Sequence, residues 1–308
     1  MQHDGDQVKF EAFASAGGQI ARLLAAGVFV VLLAGCDLFG PQKLTEEQIV
    51  PPDTLYNSAI ADMDGQRYIT AISTLQKLER QHPYSEYSEK AKLMQVFANY
   101  QIGRWDDSIS AADQYIALFP SSDQMAYVLY LKGNAYFNEM SDITRDQQTS
   151  QNAIDAFQQI VSNYPKSQYA KDASDKLLVA YDQLAGKEMS VGRYYEGNGQ
   201  YAAAIGRFRT VVDKYQTSSH IEEALYRLTE ANLALGLIAE AQTAAAVLGH
   251  NYPGSSWYQE AYNLLQKQGV EPKINPGSTL STAIKTKASA VPASTGPAKI
   301  AAPRLSKR

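Results

Sequence analysis

One thiol in this chain stands where chemistry is expected. Cys36, the single cysteine of 308 residues, ends the run Leu33-Ala34-Gly35-Cys36 and follows an apolar stretch from Leu23 to Ala34. That stretch is shorter than the roughly 20 apolar residues a bilayer span needs, and it closes on small residues, the pattern of a cleaved export signal. In bacteria, small residues just before a cysteine are what lipoprotein signal peptidase reads once the thiol has received a diacylglycerol. Cleavage after Gly35 is therefore expected, with Cys36 the acylated first residue of the mature chain. Each methylene it buries in the membrane gives about 0.8 kcal/mol. The absence of a second thiol suits an oxidising compartment. Ahead of Arg22 the segment is long and carries Asp4, Asp6 and Glu11, unlike the short basic opening of a signal, so a translation start downstream of Met1 stays open. Asp37 is the residue that favours inner-membrane retention in enterobacterial lipoproteins, so sorting between the two membranes stays open. An uncleaved anchor helix is the alternative for the same segment.

No other group promises covalent or metal chemistry. His3, His82, His220 and His250 are scattered without metal-ligand spacing. Gly197-Asn198-Gly199 lacks the third glycine and the preceding strand of a phosphate-binding turn and reads as the end of a helix. Asp106-Asp107 follows Trp105 at a helix start, where acids meet the positive end of the dipole; capping explains the pair better than acid–base catalysis. No serine stands in a nucleophile-elbow context. The expectation is a binding protein, not an enzyme, with no cofactor and no metal.

Charge narrows the partners. The chain carries 28 Lys and Arg against 32 Asp and Glu, for a net charge of −4. Between the signal and Pro272, 19 basic residues face 29 acidic ones, the opposite of a nucleic-acid binder. From Pro272 onward the chain is rich in Pro, Ser, Ala and Thr and holds seven Lys or Arg with no acid, so residues 269–308 are expected to be a disordered basic tail. Such a tail suits anionic headgroups, lipopolysaccharide or peptidoglycan, or simple solubilisation. No second apolar segment is long enough to span a membrane.

The elements that must present any binding surface are set by a repeat. Tyr68 to Pro83, Trp105 to Pro120 and Ile238 to Pro253 share a spacing of fifteen residues, Tyr201 to Gln216 keeps it without the proline, and Ala153-Ile154 to Tyr164-Pro165 fits the frame. A small residue (Ala71, Ser108, Ala204, Ala241) and then Ile72, Ile109, Ile205 or Gln242 follow the first position. Two residues after the proline position comes Ser85, Ser122, Ser167, Ser218 or Ser255, and six further on Ala91, Val128, Ala173, Ala224 or Ala261. Proline ends one helix and serine is placed to cap the next, so each unit is helix, tight turn, helix. The proline positions are 37, 45, 51 and 37 residues apart, near the period of about 34 of a tetratricopeptide array. Ile72, Leu75 and Leu78 share one stripe, as do Phe157, Ile160 and Val161. The fold expected is an all-α, tetratricopeptide-like solenoid of five repeats, about ten helices, over residues 54–268. Longer stretches between Gly133 and Ala153, and from Leu178 to Asn198, are expected to lengthen helices or form a side projection. All 20 tyrosines lie between Tyr56 and Tyr262, mainly as packing residues.

Within that frame stand Ala153-x2-Ala156-Phe157-x2-Ile160-Val161-x2-Tyr164-Pro165-x-Ser167-x-Tyr169, Asp172-Ala173 and Asp182-x-Leu184-Ala185-x2-Glu188-x-Ser190-Val191-x2-Tyr194-Tyr195. Upstream are Pro83-x3-Tyr87-Ser88 and Tyr127-Val128-x-Tyr130-x-Lys132-Gly133. In these residues, over about 36–265, the chain resembles the BamD (ComL) family, tetratricopeptide lipoproteins of the β-barrel assembly machinery. The resemblance implies a scaffold beneath the outer membrane, with residues 1–35 as signal, 36–53 as tether and 54–268 as the array. It implies that the first repeats, about 54–140, bind unfolded outer membrane protein precursors, and that the last, about 150–268, dock on the periplasmic domain of BamA alongside other Bam lipoproteins. The family's docking arginine falls on Arg207, with Glu188, Tyr194 and Tyr195 as neighbours; a guanidinium there can pair bidentately with a partner carboxylate. The substrate pocket implied involves His82, which stands where the family has tyrosine, with Tyr84, Tyr87, Tyr100 and Tyr127. His82 either meets a terminal carboxylate or packs the turn. A periplasmic scaffold coordinating peptidoglycan synthesis or cell division is the competing function, motivated by the repeats and the basic tail.

Overall fold

The small residues at fixed places in each repeat mark where helices cross. Ala71, Ser108, Ala153, Ala204 and Ala241 have no exposed surface, and Ala91, Val128, Ala173, Ala224 and Ala261 are equally buried. Around them the computed structural model describes residues 48–280 apart from Ser141, Thr144 and Thr279; Cys36, its signal, Asp37 and the tail beyond Leu280 lie outside the described residues. Helix α1 (Pro52–Asp64) leads. Five pairs follow: α2 (Tyr68–Gln81) with α3 (Ser88–Gln101), α4 (Trp105–Leu118) with α5 (Met125–Asn138), α6 (Gln148–Asn163) with α7 (Ala170–Gly197), α8 (Tyr201–Lys214) with α9 (Ile221–Ala234), and α10 (Ile238–Asn251) with α11 (Ser256–Lys267). Each helix packs against its neighbours in sequence, and α3 also meets α5, as α9 meets α11. This is the all-α solenoid of five helix-turn-helix repeats expected from the sequence. The described residues hold eleven helices instead of ten, because α1 stands ahead of the first pair.

The repeat frame works through the main chain. The residues before the proline position, His82, Phe119, Tyr164, Tyr215 and Tyr252, end their helices with φ between −124° and −138° and ψ between 44° and 61°. A following proline bars the helical conformation there. Tyr215 adopts the same backbone before Gln216, so in the fourth repeat the turn forms without proline. The serines do not cap as expected: no helix receives a side-chain cap from them, and the hydroxyls of Ser167, Ser218 and Ser255 are buried without a partner among the described residues. Their peptide groups serve instead. The serine N–H donates to the carbonyl of His82, Phe119, Tyr164, Tyr215 or Tyr252. In the first four repeats its carbonyl accepts from Ser88, Met125, Ala170 or Ile221, the first residue of the next helix. Two consecutive turns therefore satisfy the groups that the helix ends leave open.

The two insertions differ: the first lies mainly in the connection from Asn138 to Gln148 and adds only two residues to α6, while the second lengthens a helix. α6 begins five residues before Ala153, and α7 runs for 28 residues, twice the usual 14. Where a repeat places a phenylalanine on its first helix, a glycine faces it. A Cβ on Gly133 would stand 2.6 Å from Phe157, and one on Gly192 would overlap the Phe208 ring. Gly197-Asn198-Gly199 ends α7 with Gly199 at φ +72°, the turn expected of it. The array does not stop at the expected boundary of 268. Gly269 repeats that left-handed turn, but Pro272 and Pro276 bar a further helix. Residues 270–278 and Leu280 lie along α10 instead.

Candidate functional site

The length of α7 positions the C-terminal candidate residues. Glu188, Tyr194 and Tyr195 occupy its last ten positions, and α8 packs beside them through Phe208, fully buried against Gly192. One residue before Phe208, Arg207 projects outward: its Nη1 donates to Glu188 Oε2 at 3.2 Å, and the side chains are 45% and 21% exposed. Its Nε and Nη2 take no partner among the described residues. Tyr194 is 69% exposed, its ring edge-on to Tyr195 with centroids 5.9 Å apart, while Tyr195 packs into the core beneath α8. Arg207 and Glu188 are thus directly paired, and the two tyrosines lie about two turns further along α7.

Beside this patch lies an ionic network that the sequence did not suggest. Arg193 Nη1 meets both oxygens of Glu223 at 3.0 Å, and Arg227 reaches Glu196 at 3.3 Å, Glu223 at 3.5 Å and Glu230 at 2.8 Å. Glu196 Oε1 is buried without a partner among the described residues. Burial, followed by repulsion from Glu230, outweighs the attraction of Arg227 and raises the Glu196 carboxyl to about 7. The signals in the sequence were the i, i+4 spacing of Glu223 with Arg227 and the i, i+3 spacing of Arg227 with Glu230, which any solvated helix face shares.

At the N-terminal end the candidate residues separate by role. His82 Nε2 lies 2.7 Å from the carbonyl of Val50. A carbonyl only accepts, so Nε2 carries the proton and donates. Gln81 Oε1 accepts the Val50 N–H at 3.0 Å. Together they hold the segment entering α1 to the end of α2, the turn-packing alternative for His82. Tyr87 stacks on Tyr56 at 4.8 Å, Tyr100 tilts on Trp105 at 5.1 Å and accepts from Asn138 Nδ2 at 3.2 Å, and Tyr127 lies against Tyr169 at 5.3 Å. These three tyrosines belong to one apolar cluster. Two members depart from the expected pocket. Tyr127 is 3% exposed, a core residue covered by the Tyr169 ring, and Tyr84 is 99% exposed on the turn after α2.

Polar groups inside the array brace it. Tyr130 Oη donates to Asp172 Oδ2 at 2.6 Å, Lys176 Nζ pairs with the same carboxylate at 2.8 Å, and Lys176 also bonds Asn134. Tyr115 Oη and Ser122 Oγ both donate to Glu89 Oε1, at 2.7 and 2.6 Å. Asp106 and Asp107 sit in the first turn of α4, where the dipole favours them. Among the described residues no group of His, Cys, Asp and Glu could hold a metal, and no helix is long and apolar enough to cross a membrane.

Known proteins are similar to this chain over most of its length. A family model described as an outer membrane lipoprotein, YfiO, matches residues 49–248. The outer membrane protein assembly factor BamD of Caulobacter vibrioides is 41% identical over 261 residues, covering 84% of this chain and 85% of that protein. The BamD of Rickettsia prowazekii is 36% identical, over 80% of this chain and 98% of its own length. BamD of Neisseria meningitidis serogroup A is 31% identical over 68% of this chain and 82% of its own. A match this extensive spans α1 to α10 and more than half of the sequence. The chain therefore belongs to the BamD family, the YfiO outer membrane lipoproteins.

Proposed function

We propose that this protein is a lipid-anchored, non-catalytic scaffold of outer membrane β-barrel assembly. The observation that carries this is the 41% identity, across 84% of the chain, to a protein named as an outer membrane protein assembly factor. On this reading Cys36 is acylated and holds the array to the periplasmic face of the outer membrane. The repeats of α1 to α5 receive unfolded barrel precursors, and those of α6 to α11 dock on the periplasmic domain of BamA, alongside other Bam lipoproteins.

Two features favour that division. Arg207 keeps guanidinium donors open to a partner carboxylate, beside an exposed Tyr194. At the other end Tyr84 is exposed on the turn next to Tyr87, where an extended segment ending in an aromatic can add its ring, worth about 1.5–3 kcal/mol once buried. His82 acts there as a clamp, and Tyr127 joins such a site only if the Tyr169 ring moves aside. Depleting the protein from its host tests the function. Loss of heat-modifiable, folded barrel proteins from the outer membrane is expected. Normal barrels in cells with disturbed wall growth or division would instead select the wall-coordinating function.

A further inference from the structure

After α11 the chain binds its own array. Gln242 Nε2 donates to the carbonyl of Glu271 at 2.8 Å, and the Lys273 N–H reaches the Gln242 carbonyl at 3.3 Å. Asn275 is held through both its nitrogens: its N–H donates to Thr243 Oγ1 at 3.2 Å, and its Nδ2 to the Ala239 carbonyl at 2.9 Å, with Thr243 Oγ1 and Gln242 Oε1 at 3.4 and 3.5 Å. Ser278 Oγ donates to Glu240 Oε2 at 2.7 Å. The segment is non-helical and carries two prolines, so its main-chain groups are open to such bonds. It ends by placing Leu280, only 3% exposed, in a groove whose walls include Ile205 of α8, Leu228 of α9, and Leu235 and Leu237 ahead of α10. Leu280 lines this groove without filling it: a cavity of about 290 Å³ remains, and Leu235 and Leu237 stay 44% and 47% exposed.

We propose that the groove between α8, α9 and α10 is a binding site for an extended peptide segment, and that residues 270–278 and Leu280 occupy it in cis. The site has the two parts such recognition needs: polar groups on one helix that take main-chain bonds, and an apolar slot that takes a side chain. The occupant shows the ligand chemistry, a non-helical stretch with Asn and Ser for the helix and an apolar residue five positions after the Asn. Tethering gives it an effective concentration of about a millimolar, so a partner's segment of the same kind must displace it. The space beside Leu280 admits a larger side chain than the chain itself supplies. The groove takes Ile205 and Arg209 from the same helix that carries Arg207, and the proposal rests on the contacts of residues 270–278 and Leu280, not on the assembly function.

Hydrogen exchange on the full-length protein, with and without a synthetic peptide of residues 270–280 in millimolar excess, tests the proposal. The Lys273 and Asn275 amides should be protected in the protein alone, and the peptide should accelerate their exchange about tenfold, as free copies replace the tethered one. A peptide with Leu280→Ala should not. In a full-length Asn275→Ala/Leu280→Ala variant whose melting temperature matches the wild type, the labelled wild-type peptide should bind at least about tenfold tighter than to the wild-type protein. Unprotected amides at Lys273 and Asn275, exchange unmoved by the peptide, or equal action of the Leu280→Ala peptide would each overturn it.

Discussion

Arg207 and Glu188 meet across the contact between α7 and α8, with Nη1 3.2 Å from Oε2 and the guanidinium nearly half exposed. An ion pair that wet contributes about 0–1 kcal/mol to stability, while its remaining donors face outward. The pair thus holds the arginine in position more than it holds the fold together. Arg207→Glu should accordingly lower stability by no more than about 1 kcal/mol, even with like charges facing across the helices. Thermal unfolding checks this; a loss of several kcal/mol would make Arg207 a structural residue.

Gly192 and Phe208 form a tighter relation. A methyl group on Gly192 would overlap a ring that has no exposed surface, and overpacking of this kind costs about 1–3 kcal/mol. Gly192→Ala should lose that much in urea unfolding, and adding Phe208→Leu should restore part of it. Strict additivity of the two substitutions would show that the glycine is not there to admit the ring.

The Glu196 carboxyl gives a pH dependence whose sign is opposite to that of most acids. Its folded pKa of about 7 lies above the ordinary 4.5, so between those values the folded state holds a proton that the unfolded state has released. Stability from this group is present below about 4.5 and is lost as pH rises through about 7. Glu196→Gln should remove the decline, gaining on the wild type at pH 8 relative to pH 5 in denaturant titrations. An unchanged pH profile would place the carboxyl near its ordinary value. Arg227 keeps Glu223 and Glu230 in that variant, so the network survives the test.

His82→Phe, which introduces the residue type found at Phe119, should keep the turn and lose the bond to Val50. A cost of about 0.5–1.5 kcal/mol is expected, with faster amide exchange at Val50 and the start of α1. Wild-type exchange there would mean that Gln81 alone holds the segment.

Helix boundaries were legible because the repeat carries its own punctuation. Tyr68, Trp105, Tyr201 and Ile238, the residues on which the repeat aligns, are each the first residue of a helix. Each first helix then runs to the residue before the proline position, where the backbone must leave the helical region. α1 escaped because it has no partner helix ahead of it to complete the frame. The capping role given to Ser85 and its equivalents failed because the turn places mainly their peptide groups where the helix ends need bonds; the hydroxyls of Ser167, Ser218 and Ser255 take none, and Ser122 Oγ accepts only from Gln124 N–H, ahead of the first helical residue. Exposure was the least legible property. Tyr84 and Tyr127 read alike in the sequence, yet Tyr127 is covered by Tyr169, 42 positions later, while nothing folds over Tyr84. The bonds from Thr243 to Asn275 likewise join residues 32 positions apart in a segment whose composition suggests no structure.

The central claim is that the array serves outer membrane assembly through the Arg207 surface. Affinity purification of the tagged, membrane-anchored protein from gently solubilised envelopes, wild type against Arg207→Glu, tests it most directly by mass spectrometry. The wild type should bring down a large barrel protein bearing periplasmic repeat domains, and the folded Arg207→Glu variant should lose it. Recovery of wall synthases or division proteins instead, unchanged by the substitution, would contradict the claim.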